Sequence, residues 1–118
     1  MTFSLKQYNK SQYREYTGEP KKGEVWEIIE KSNSIRPYDK KVPIVVISNK
    51  GGEIRALVCS NWPSRDVKQY EIKDPRSAGV FDKNYVDLNV ISFPRNRLTR
   101  RLGRLSGFDK NLVMIKPI

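Results

Sequence analysis

The stretch VPIVVISNKGGEIRALVCS, residues 42–60, decides the fold class. Its opening is a near-continuous run of branched aliphatics, too short for an ordinary core helix, and predicts a central β-strand over 42–50. Gly51 and Gly52 then turn the chain. Residues 53–60 alternate Ile54, Ala56, Val58 and Ser60 against Arg55, Leu57 and Cys59, so they are expected to pair back as the second strand of a hairpin. Upstream, GEVWEIIEK (23–31) sets Val25 and Glu27 against Trp26 and Ile28 and reads as a half-buried strand, joined to the hairpin by a polar, basic loop, SNSIRPYDKK (32–41). Downstream come a loop, NWPSRD (61–66), a strand in KQYEIKD (68–74), a connection, PRSAGVFDK (75–83), and one long strand in NYVDLNVISF (84–93). Several short strands at this spacing, with turn residues between them, indicate an all-β barrel or sandwich. Residues 1–21 are polar, carry Tyr8, Tyr13 and Tyr16, and read as an N-terminal extension; 22–118 form the domain proper.

One segment stays open between two conformations. RNRLTRRLGRL (95–105) carries Arg95, Arg97, Arg100, Arg101 and Arg104 and no acidic residue. Leu98, Leu102 and Leu105 recur at helical spacing, whereas Arg101, Gly103 and Leu105 set against Leu102 and Arg104 suit a short strand. The remaining residues, GFDKNLVMIKPI, offer about two helical turns before Pro117.

A chain of 118 residues suffices for one core. With 37% hydrophobic and 31% charged residues it has the composition of a soluble globular protein. No apolar run approaches the roughly 18 residues of a membrane span, and the N-terminus lacks the apolar centre of a secretion signal, so a cytoplasmic protein is expected. A single cysteine, Cys59, excludes an internal disulfide, and with no histidine neither a metal nor another cofactor is expected. Acid–base chemistry therefore falls to carboxylates, Lys, Tyr, Arg or hydroxyl groups. A net charge of +10 attracts nucleic acid, an anionic membrane or an acidic protein.

Three segments in order, KKGEVWEI, PIVVIS and AGVFDKNYVDLNVISFPRNRLTRRLGRLS (78–106), resemble the MazF/PemK/Kid family of toxin ribonucleases from toxin–antitoxin systems. The resemblance implies a mainly β, SH3-like (CcdB/MazF-type) barrel with short helices. It also implies a homodimer, expected to cover PRSAGVF (75–81), and an acidic antitoxin as partner. The implied activity is metal-independent, sequence-selective cleavage of single-stranded mRNA, in which the ribose 2′-OH attacks the adjacent phosphorus. Arginine and hydroxyl groups can hold the 2′-OH in line and stabilise the phosphorane charge, so the lack of histidine is no obstacle.

The chain departs from the family where an arginine precedes the proline opening the second strand: Val42 stands there, with Lys40 and Lys41 just ahead and Arg36 in the same loop. Ser60 matches the family's Thr or Ser at the end of the next strand; as a strand terminator it would equally bond local backbone. Where the Kid-like branch carries an Arg and an Asp two residues apart, this chain has Asp87 and Asn89. The catalytic candidates are therefore Arg36, Lys41, Ser60 and Asp87. The candidates for RNA contact are Lys40, Trp62, Arg65, Arg97, Arg100 and Arg101. Trp62 beside Arg65 is either a stacking platform for unpaired bases or a cap on the barrel. The alternative function is non-catalytic: a nucleic-acid-binding regulator that has lost its active arginine, or a gyrase poison of the CcdB type on the same fold.

Overall fold

Gly51 and Gly52 sit at φ values of 62° and 89° in a computed structural model of the protein, which describes residues 18–81 and 83–115. Positive φ at both centres of a two-residue loop is what a type I′ hairpin turn requires. The turn joins strand β2 (Lys40–Lys50) to β3 (Glu53–Ser60), with Lys50 opposite Glu53 and Ile44 opposite Val58. β1 (Glu24–Glu30) lines the other edge of β2 antiparallel, and β7 (Leu98–Arg104) lies outside β1. The remaining elements are β4 (Gln69–Glu71), a one-turn helix α1 (Pro75–Ala78), β5 (Tyr85–Asp87), β6 (Ile91–Pro94), a 3-10 turn (Arg95–Arg97) and helix α2 (Gly107–Ile115).

The far edge of β3 is shared. β6 pairs with residues 53–56 and β5 with residues 59–60, while β4 completes the seven-stranded antiparallel sheet outside β5. β1, β2, β3, β6 and β7, with the 3-10 turn carrying the chain from β6 to β7, form a small SH3-like barrel. The expected long strand over 84–93 is thus two short ones. Between the paired residues Cys59–Val86 and Ala56–Ile91, four residues (87–90) stand opposite two (57 and 58), and the surplus breaks the ladder. The strand expected in 68–74 is likewise confined to Gln69–Glu71.

The central strands feed two cores. Trp26, Ile28, Ile44, Val46, Ile54 and Ala56 point into the barrel, where Phe93 and Leu98 close over them. Their alternates Val25, Val45, Leu57 and Cys59 point to the opposite face, which is covered by Ile72, Ala78, Val86, Leu105 and Val113 from β4, α1, β5 and α2 or their flanks. A strand buried on both faces needs a continuous apolar run, which is why 42–50 lacks alternation. β1 is also buried on both faces rather than half-buried as its sequence suggests, because Glu24 and Glu27 occupy interior positions with partners of opposite charge. Cys59 lies in the second core, where burial and the nearby Asp87 push its thiol pKa up to about 12 and suppress the thiolate.

The arginine segment is a 3-10 turn followed by a strand, and its charges are met from far along the chain. Arg101 reaches Glu24 at 3.1 Å, Arg100 reaches Glu27 at 3.4 Å, and Arg95 lies 3.6 Å from Glu19 with its guanidinium stacked 5.0 Å over Trp26. Burial alone would raise the Glu24 pKa, but Trp26 Nε1–H, the Lys21 N–H and Arg101 all favour its charged form and hold it below the usual value. Residues 18–20 dock on the barrel: Asn49 Nδ2 donates to Glu19 and to the Pro20 carbonyl, and Arg95 to the Gly18 carbonyl. The rest of the expected N-terminal extension, residues 1–17, lies outside the described residues. No helix among the described residues is long and apolar enough to cross a membrane.

α1 ends at Gly79 (φ 76°) and lies directly on β7, so that a Cβ on Gly79 would meet the Leu102 carbonyl oxygen at 2.1 Å. Gly79→Ala combines a left-handed backbone with a clash against main chain, and is expected to cost about 2–4 kcal/mol of stability in urea denaturation. Gly107→Ala, whose Cβ enters open space, should change little.

Candidate nucleic-acid interface

The face of the sheet that carries Val25 and Val45 is covered only in part. One row further along β1 and β2, on the same face, Glu27 stands between Pro43 on β2 and Arg100 on β7. There the covering layer ends and the sheet opens into a groove. Its floor is Pro43, Glu27 and Arg100, with Lys41 and Leu102 at the margins; its walls are Gly79–Phe81, Asn84 and Asn61. Past Asn61 and Phe81 the groove continues into a wider cleft between Trp62 and Lys83, bordered by Lys73, Pro75 and Glu71.

The two ends differ in chemistry. At the floor, Glu27 is almost fully buried; its Oε1 takes the Arg100 Nε at 3.4 Å and the Thr99 hydroxyl at 3.1 Å. Lys41 is exposed and has no ion-pair partner among the described residues. At the wide end Trp62 is 80% exposed and Phe81 89% exposed. Large aromatics so bare, set among lysines, offer planar faces and positive charge to the same ligand. No group of three or more His, Cys, Asp or Glu side chains among the described residues could hold a metal ion.

The residues singled out from sequence fall into three groups. Lys41, Trp62 and Arg100 share the groove. Ser60 belongs to its flank, its hydroxyl donating to the Trp62 carbonyl at 2.9 Å, the local bond of a strand terminator; Arg65 lines neither part of the groove and is exposed further along the loop that carries Trp62. The others sit elsewhere. Arg36 folds its own loop, donating to the carbonyls of Glu30, Lys31 and Tyr38 and lying 5.4 Å from the Tyr38 ring. Asp87 accepts from Gln69 Nε2 at 2.8 Å, Arg97 lies over Phe93 beside a separate hollow, Lys40 is exposed at the start of β2, and Arg101 is the partner of Glu24.

Sequence reading missed Glu27, Asn61, Phe81 and Lys83. Glu27 had a signal, an acidic residue interrupting the apolar run of β1. Phe81 had none, since a lone aromatic between turn residues looks the same whether it packs or protrudes.

No protein-family model matches the chain, and no curated protein matches it.

The two adjacent arginines should separate by their effect on binding. Arg100→Ala removes a groove cation whose side chain is 60% exposed and should lower the salt slope of nucleic-acid binding by about 1; it also takes the cation from the buried Glu27, which keeps the Thr99 hydroxyl, and should cost about 1–3 kcal/mol of stability. Arg101→Ala takes the cation from the buried Glu24, which keeps Trp26 Nε1–H and the Lys21 N–H, and should cost about 1–3 kcal/mol of stability with the salt slope unchanged. Filter binding across a salt series and urea denaturation on the same two variants check both expectations.

Proposed function

We propose that the protein is a metal-independent endoribonuclease that cuts single-stranded RNA lying along this groove, as the resemblance to the MazF/PemK/Kid toxins implies. The observation that carries the reading is the meeting of Lys41, Arg100 and Glu27 at one end of a groove whose other end bears two bare aromatics. Lys41 and Arg100 bind the scissile phosphate and offset the charge that builds on its oxygens as the phosphorane forms. Glu27 accepts the proton of the ribose 2′-OH, whose oxygen attacks the adjacent phosphorus. The P–O5′ bond breaks, the leaving oxygen takes a proton from the Lys41 ammonium or from water, and the products end in a 2′,3′-cyclic phosphate and a 5′-hydroxyl. The same reading includes a homodimer and an acidic antitoxin, for which the net charge of +10 supplies the electrostatic match.

The second reading, a non-catalytic nucleic-acid binder, is favoured by one observation: Arg36, Ser60 and Asp87 are each held by their own neighbours rather than converging on one point. Incubating the purified protein with a long single-stranded RNA in EDTA separates the two. Cleavage at a few fixed sites with cyclic-phosphate ends is expected. Retention of uncut RNA would support the binder, and neither cutting nor binding would overturn both.

A further inference from the structure

Trp62 and Phe81 come from two different loops, and three polar side chains hold those loops in place. Ser60 Oγ donates to the Trp62 carbonyl at 2.9 Å; Asn84, 2% exposed, donates to the Phe81 carbonyl at 2.9 Å; and Asn61 Nδ2 crosses between the loops to the Lys83 carbonyl at 3.2 Å. Each bond fixes backbone beside or within an aromatic-bearing segment, while both rings stay in solvent. Rings needed for packing would be buried; rings left bare on backbone that is tied down are available to something that arrives. The charge nearby points to what arrives: among the described residues, Lys73 and Lys83 border the cleft with Glu71 as the one carboxylate on its rim, and Lys41 and Arg100, the latter paired with Glu27, continue the basic side chains along the groove.

From this arrangement we infer that Trp62 and Phe81 form a base-binding subsite that takes unpaired nucleobases of single-stranded RNA by stacking, with Lys73 and Lys83 meeting the flanking phosphates. Stacking on a π-face tolerates any base, so the subsite supplies affinity and register, not sequence choice. The inference deepens the RNA reading of the groove and rests on that reading for its ligand, but it does not depend on catalysis. A second copy of the chain covering Phe81 is the competing occupant, and since 75–81 is the surface expected of the homodimer, the subsite requires the two copies to pair elsewhere.

The test uses the full chain and two decamers of 2′-O-methyl RNA, which lack the attacking hydroxyl: one carries uracil throughout, the other is abasic at every position. The wild type is expected to bind the uracil decamer at least about tenfold more tightly than the abasic one. Trp62→Ala and Phe81→Ala should bring that ratio towards one without changing the salt slope, Trp62→Phe should keep most of it, and Lys83→Ala should lower the slope but preserve the ratio. Equal binding of the two decamers by the wild type, or a ratio unmoved by either alanine variant, overturns the subsite. So does Phe81→Ala turning a dimer into a monomer by native mass spectrometry. A preserved ratio in a protein that fails to cut RNA in EDTA leaves the subsite standing and removes only the nuclease.

Discussion

Asp109→Ala is expected to destabilise the fold by about 3–6 kcal/mol, enough to unfold a large share of a domain of this size. Asp109 is fully buried. Its Oδ1 accepts from the Tyr70 hydroxyl at 2.8 Å and the Lys73 N–H at 2.9 Å; its Oδ2 accepts from the Asp74 N–H at 2.9 Å and the Ser106 hydroxyl at 3.2 Å. The Asp109 N–H donates to Ser106 Oγ, so Ser106 caps the first turn of α2 while its hydroxyl donates to Asp109 Oδ2. Alanine leaves two backbone N–H groups and a phenol without partners and detaches α2, whose Val113 belongs to the second core. Asp109→Asn keeps an acceptor oxygen and should fall between.

The sign with pH follows from the same bonds. Burial alone would raise the Asp109 pKa, but the two N–H groups and two hydroxyls outweigh it and hold the carboxyl below 3.8. A depressed folded pKa contributes stability that is complete above about pH 4 and is lost as pH falls through the folded value. Urea denaturation at pH 7 and pH 3 should show a smaller gap between wild type and Asp109→Asn at the lower pH.

Lys41→Ala is expected to slow RNA cleavage about 10²–10³-fold, the scale of losing one group that stabilises charge in a transition state. The side chain is exposed at the start of β2, so its loss should leave the unfolding free energy within about 0.5 kcal/mol of wild type. Lys41→Arg restores a cation with a broader fork and should recover part of the rate. Single-turnover rates with saturating enzyme separate this effect from binding; an unchanged rate for Lys41→Ala would remove it from the reaction.

Local patterns in the sequence were enough for the mainly β class, the hairpin, β1 and the helix over Gly107–Ile115. The Gly51–Gly52 turn and the aliphatic run of β2 are decided by residues within a few positions, so both are readable. The break between β5 and β6 is set by which residues of β3 they oppose, about thirty positions away, and nothing inside 84–93 announces it. The arginines show the same limit. No acidic neighbour lies among residues 95–105, yet Glu24 and Glu27 approach two of the five once β1 pairs with β7, and Glu19 a third once residues 18–20 dock on the barrel. Trp62 was readable as a residue of two possible fates, but that it stands bare opposite Phe81 depends on Ser60, Asn61 and Asn84 fixing two separate loops.

Photocrosslinking decides whether single-stranded RNA runs through the groove between Lys41 and Trp62. A 2′-O-methyl RNA carrying 4-thiouridine is irradiated on the full-length protein, and the attached peptides are mapped by mass spectrometry. Crosslinks are predicted at residues 61–62 and 81–84. Crosslinks confined to the 31–39 loop or to residues 95–97 would place the RNA on another face and contradict the assignment.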